Sequence, residues 1–146
     1  MPDVSRPTFK LSNPVGLYDP RVNGYSHVAA LAPDARLLFI AGQGGEDSSG
    51  HLSTDFCEQA RQALANLSIA LSSQGARLDQ VFKLTLLIVD HNQDRLREWA
   101  GEAREAWAEE SLPVCTLIPV PRLALDGMLI EIDAVAAIQV GGRAGS

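Results

Sequence analysis

The chain has 146 residues, 46% apolar and 21% charged, proportions that suit one globular domain with a core of useful size and not extended disorder. Its net charge of −6 argues against a nucleic-acid surface, which needs a basic patch. No run approaches the roughly 18 apolar residues of a membrane span, and the first ten residues lack the apolar core of a secretory signal.

Residues 1–24 contain Pro2, Pro7, Pro14 and Pro20, which oppose regular ladders, so this segment reads as an extended N-terminal arm. Next, "YSHVAAL" and "RLLFIAG" flank Pro33-Asp34 and predict a hairpin. "GQGGEDSSG" (42–50) reads as a surface loop, because it lacks the Lys-Ser/Thr of a phosphate-binding loop. From Asp55 to about Ser73, Phe56, Ala60, Ala63, Leu64, Leu67, Ala70 and Leu71 recur at helical spacing. Asp55 and Glu58 predict a capping box, and Gly75 suits the position past the end. "QVFKLTLLIVD" (80–90) reads as a strand, with Lys83 expected at a sheet edge, its stem packed and its ammonium in water. Asp94 opens a second helix through about Glu110, with Trp99 and Trp107 on its core face. "VCTLIPV" is a further strand, whose Pro119 and the following Pro121 put its end at an edge or bulge. Asp126-Gly127 turns into the last strand, 128–138, and 141–146 is a polar tail. Residues 25–140 are thus expected to form one domain. Cys57 and Cys115 form no CxxC and read as free thiols of a reducing cytoplasm, a single disulfide remaining open.

This order, β-β-α-β-α-β-β, predicts an α+β fold with a mixed sheet and both helices on one face. The other face then needs a cover, for which a second subunit is the simplest candidate. In the last strand, alternation sends Ile130, Ile132, Ala134, Ala136 and Ile138 towards the helices. Glu131, Asp133, Val135 and Ala137 go to the bare face. A carboxylate there needs a partner or water, so the two acids point to a subunit boundary.

Four segments in order, "FIAGQ" (39–43), "EQARQALANL" (58–67), "VFKLTLLIVD" (81–90) and "IEIDAVA" (130–136), resemble the YjgF/Rid family of reactive-intermediate deaminases, also called the endoribonuclease L-PSP family. The resemblance spans most of residues 25–138 and implies a chorismate-mutase-like fold and a homotrimer with small-molecule clefts between subunits. It implies hydrolysis of 2-enamine and 2-imine acids to 2-keto acids and ammonia, without metal or cofactor. Carried over residue by residue, it makes Glu131 the carboxylate that orients water, and makes Tyr25 and Gly42 part of the cleft lining. The Arg that anchors the substrate carboxylate falls on Cys115, and a Ser common before the glycine falls on Ala41. Without that Arg, a 2-imino acid should bind about 10- to 150-fold more weakly.

Each residue also has a plainer reading. Glu131 is either the water-orienting group or an interfacial acid paired across a boundary, and Asp133 reads as structural. Cys115 is a reactive thiol or inert pocket lining, and no neighbouring cation in sequence favours the former. His27 reads as strand-end packing. Arg122 is a minor candidate for the missing anchor, seven residues beyond Cys115. Two functions follow: a Rid-like hydrolase of a small imine, enamine or related metabolite, or a non-catalytic trimer that binds a metabolite or a protein. A ribonuclease or translation inhibitor ranks third, because the chain is acidic.

Overall fold

A computed structural model describes residues 7–140; the polar tail and the first six residues of the arm lie outside the described residues. Eight regular elements follow one another as β1 (Phe9–Ser12), β2 (Val28–Leu31), β3 (Arg36–Gln43), α1 (Phe56–Ser72), β4 (Val81–Val89), α2 (Gln93–Ala106), β5 (Val114–Val120) and β6 (Ile130–Ile138). The main sheet has the order β3-β6-β4-β5. β6 runs antiparallel to both neighbours, and β4 and β5 are parallel. The β4-α2-β5 unit is the parallel crossover that the element order predicts.

The expected hairpin does not form. β2 pairs instead with β1, antiparallel, from Phe9–Leu31 to Ser12–Val28. The reason is tertiary: Thr8 Oγ1 donates to Ala137 O (3.1 Å), and Phe9 meets Phe82 with ring centroids 5.8 Å apart. These contacts hold β1 beside the sheet, where it presents an edge to β2.

The first helix keeps the limits its sequence dictates. Asp55 accepts from the Glu58 N–H (2.9 Å), but the predicted box is only half made, because the Glu58 carboxylate accepts from Ser53 Oγ (2.9 Å) and the Asp55 N–H donates to that same oxygen (3.0 Å). Gly75 takes φ +74° just beyond the end. The second helix is shifted. Asn92, not Asp94, caps it, accepting from the Arg95 N–H at 2.8 Å. It stops at Ala106 because Trp107 leaves helical geometry to bury its indole, whose Nε1 donates to Leu78 O at 2.8 Å. A short 3₁₀ turn, Glu109–Ser111, fills the rest of the link.

Both helices lie on one face. Leu64, Leu67 and Leu71 of α1 and Trp99 and Ala103 of α2 are buried with Leu84, Leu86, Ile88, Ile130 and Ile132 of the sheet. Truncating such a residue, Leu67→Ala for example, costs about 2–5 kcal/mol. The opposite face carries Leu37 (40% exposed), Phe39 (75%) and Ile118 (43%). Lys83 shares this bare face. It sits on the inner strand β4, opposite Val135 and Val114, and not at the sheet edge expected from its sequence.

"GQGGEDSSG" is a surface turn only in its second half. Gly42 and Gln43 belong to β3, and Gly44 and Gly45 are buried. A Cβ on Gly45 would stand 2.6 Å from the Gln59 Cα, so the chain passes α1 too closely for a side chain. Gln59 itself is wholly buried and joins three segments. Its Nε2 donates to Ser53 O (2.6 Å) and Gly127 O (2.9 Å), and its Oε1 accepts from the Leu129 N–H (2.8 Å).

Candidate functional site

The four site residues expected from the sequence come together as two pairs. The first pair is Gly42 and Glu131. β3 shifts register against β6 between Ile40 and Gln43, and Gly42 lies in that irregularity. A Cβ on Gly42 would be 2.6 Å from both Cδ and Oε2 of Glu131, so the absence of a side chain is what lets the carboxylate rest there. Glu131 is half-buried, and Asp133, two residues on, is exposed. Among the described residues neither carboxylate receives a hydrogen bond or an ion pair.

The second pair is Tyr25 and Cys115. Ser26, which is buried, bridges to Val114 and donates its N–H to Pro113 O (3.1 Å), and this lays Tyr25 against the start of β5. Tyr25 and Cys115 line one cavity of about 380 Å³. Leu86, Leu96, Trp99 and Leu117 supply its apolar wall, and Tyr18, Asn23, His91 and Thr116 its polar groups. None of its lining residues is Lys or Arg. Tyr18 and Tyr25 share a hydrogen bond between their hydroxyls (2.5 Å), and Asn23 Nδ2 reaches the Tyr18 hydroxyl at 3.4 Å.

Two residues near this cavity have structural tasks. His27 packs edge-on against both tyrosines, centroids 5.5 Å away in each case, while its Nε2 bonds Tyr18 O (2.8 Å). It is a brace, in line with its packing role. Asp90 takes φ +54°, a conformation Asp tolerates better than most residues, at the turn that leads to His91.

The two pairs lie on opposite faces of the sheet. Cys115 is opposite Leu84, whereas Glu131 is opposite Leu87, three residues further along β4. An odd offset along a strand reverses the face. Cys115 therefore looks towards α2, and Glu131 looks towards the bare side. Within one copy they cannot touch the same small molecule. Arg122 does not substitute for the missing anchor either. It is exposed, paired with Asp126 (2.6 Å), and absent from the wall of the Cys115 cavity.

The electrostatics favour uncharged groups in the cavity. Burial pushes the Cys115 thiol up to about 12, against a small opposing pull from Lys83. The thiol is thus held protonated, which fits lining and not nucleophilic attack. Burial, followed by the Tyr18 hydrogen bond, raises Tyr25 to about 12, so it acts as a neutral donor. Cys57, also free, lies apart from the cavity and donates to Glu98 across the helix pair (3.3 Å). Burial and that contact raise it to about 11. Among the described residues no group of three or more His, Cys, Asp or Glu is placed to hold a metal ion. No helix there is long and apolar enough to cross a membrane.

Sequence reasoning missed Tyr18, Asn23 and His91. The first two belong to the proline-rich segment, which carries no periodic signal. His91 sits in the strand-to-helix turn, where only the turn's geometry decides what it lines.

Comparison with known proteins supplies the family. The model for endoribonuclease L-PSP matches residues 19–138. A RutC family protein of Pyrococcus horikoshii is 36% identical over 104 residues, covering 68% of this chain and 77% of the relative. The human 2-iminobutanoate/2-iminopropanoate deaminase is 35% identical over 103 residues, covering 69% of this chain and 72% of the enzyme. Among solved structures, a Yersinia pestis protein of unknown function from the conserved Rid protein family, YyfB, superposes with a TM-score of 0.84 at 30% identity, covering 90% of this chain and 99% of that one. The four segments that suggested the family, the two helices on a mixed sheet and these matches agree: the chain belongs to the YjgF/Rid family, whose family model is described as endoribonuclease L-PSP.

Proposed function

We propose that this protein is a homotrimer with clefts between its subunits, in which a small imine, enamine or related metabolite is hydrolysed. The observation that carries this reading is the division of the site. Glu131 with Gly42 and Tyr25 with Cys115 occupy opposite sheet faces, so a shared pocket requires two copies. The exposed Leu37, Phe39 and Ile118 give the bare face an apolar reason to be covered, and covering it would bring new partners to the Glu131 and Asp133 carboxylates. In that cleft Glu131 would accept a proton from water and orient it towards an imine carbon, while Tyr25 would donate a hydrogen bond to the substrate. No cofactor is required. The mammalian relatives carry the name 2-iminobutanoate/2-iminopropanoate deaminase, which supports the reaction class. Two free thiols fit a cytoplasmic setting.

Cys115 sets this chain apart from a 2-imino acid deaminase. It offers no charge where a carboxylate would be gripped, so that substrate is expected to bind weakly. The test is direct: 2-aminoacrylate is generated in place and ammonia or pyruvate release is timed with and without the protein. Acceleration that Glu131→Gln abolishes supports the hydrolase. A rate equal to the uncatalysed one refutes deamination and leaves the second reading, a non-catalytic trimer that binds a metabolite or a protein partner, which the missing Arg itself favours. Light scattering checks the trimer independently.

A further inference from the structure

The cavity beside Cys115 has a chemical preference that can be read from its proton count. The Tyr18 and Tyr25 hydroxyls carry two phenolic protons, and one serves the bond between them. Asn23 Nδ2 is a donor only, so its approach to Tyr18 consumes an acceptor and no phenolic proton. One O–H donor is therefore left over, whichever way the pair is arranged. The remaining wall is apolar (Leu86, Leu96, Trp99 and Leu117), with the protonated Cys115 thiol and the polar side chains of Asn23, His91 and Thr116, and it holds no Lys or Arg. An anion entering here would lose water and find hydroxyl and amide donors but no Lys or Arg to offset its charge. A neutral oxygen would find what it needs.

We propose that this cavity takes an uncharged carbonyl compound with an apolar body, an amide, ester or ketone, whose oxygen accepts the spare proton of the Tyr18–Tyr25 pair. This rests on the reading that the cavity is the ligand-binding half of the site, and it narrows the substrate class to molecules without a carboxylate at that end. His91 is the one lining side chain that can carry positive charge, and its Nδ1 is sealed from solvent without a hydrogen-bond partner among the described residues. The comparison of a neutral with an anionic probe is therefore repeated with His91→Gln, which removes that charge and should leave the order of the two probes unchanged.

Benzamide and benzoate have nearly the same shape and differ in charge. Their dissociation constants are measured by ligand-observed NMR titration of the full chain in its native assembly. Benzamide is expected to bind at least about tenfold more tightly than benzoate. The Tyr18→Phe/Tyr25→Phe double variant should weaken benzamide by about tenfold, and Cys115→Arg should reverse the order of the two probes. Benzoate binding as tightly as benzamide overturns the proposal, as does benzamide binding that the double Phe variant leaves unchanged, or no benzamide binding up to its solubility. If Cys115→Arg does not fold, the wild-type order and the Phe variant still decide. The hydrolase reading falls on absent product release, whereas this inference falls on the order of two inert probes, so each can fail alone.

Discussion

Replacing Gln59 by Leu tests how the loop, the first helix and the last strand are fastened together. The two side chains are similar in size, so packing changes little and the lost hydrogen bonds dominate. Three backbone groups lose a partner: the carbonyls of Ser53 and Gly127 and the N–H of Leu129. Leaving a buried polar group unsatisfied costs about 1–3 kcal/mol. Ser53 is only partly buried and Gly127 is exposed, so water can reach their carbonyls and the low end, about 1 kcal/mol each, applies. Leu129 is itself partly exposed but is flanked by buried Met128 and Ile130 at the entrance to β6, so its amide takes the middle of the range, about 2 kcal/mol. After a gain of about 1 kcal/mol for the new apolar side chain, the net loss is about 3 kcal/mol. At a urea slope of about 1.5 kcal/mol per molar, the midpoint should fall by about 2 M without a change of slope. The measurement is urea unfolding by circular dichroism at fixed protein concentration, because association would otherwise shift the midpoint. Exchange of the Leu129 amide should accelerate in parallel. A midpoint shift below about 0.5 M would show that Gln59 is not the fastening its geometry implies.

Gly42→Ala forces the Glu131 carboxylate from its seat by roughly 1 Å, so hydrolysis should fall about 10- to 100-fold while the urea midpoint moves little; unchanged turnover would separate Glu131 from the chemistry. Phe39→Asp places a charge on the bare face and should convert the assembly to monomers by light scattering, whereas an unaltered mass would mean that this face is not the interface. The thiols of Cys57 and Cys115, held at about 11 and 12, should react with iodoacetamide at pH 7 at least about a hundredfold more slowly in the folded than in the urea-unfolded protein. Because both thiols ionise first in the unfolded chain, their contribution to stability is full below the ordinary value of 9 and is lost as pH rises from there through 11 and 12. A midpoint that rises over that interval would contradict the burial described.

Local chemistry made much of this molecule legible. Asp55 as cap and the turn at Gly75 mark the two ends of α1, because a cap is a contact between neighbours in the chain. Alternation in β6 places Glu131 and Asp133 on the face away from the helices for the same reason. What the sequence withholds is the choice between distant partners. β2 carries strand propensity, but its pairing with β1 depends on Phe9 finding Phe82 and Thr8 finding Ala137. Cys115 and Glu131 belong to different strands, and only the register of each against β4 reveals that they face opposite ways. Gln59 left one clue: a polar residue three positions after Phe56, inside an otherwise apolar stripe.

The outer border of β5 has a further consequence. Its beginning is occupied by Ser26, bridged to Val114, and its far end carries Pro119, followed by Pro121. Between these stops no long run of free N–H and C=O groups is on offer to an incoming strand. Growth of the sheet through β5 from molecule to molecule, the open-ended route to fibres, is blocked there. The homotrimer proposed above would then draw on side chains of the broad surface and not on this border, a mode of contact that rotation can close into a finite ring.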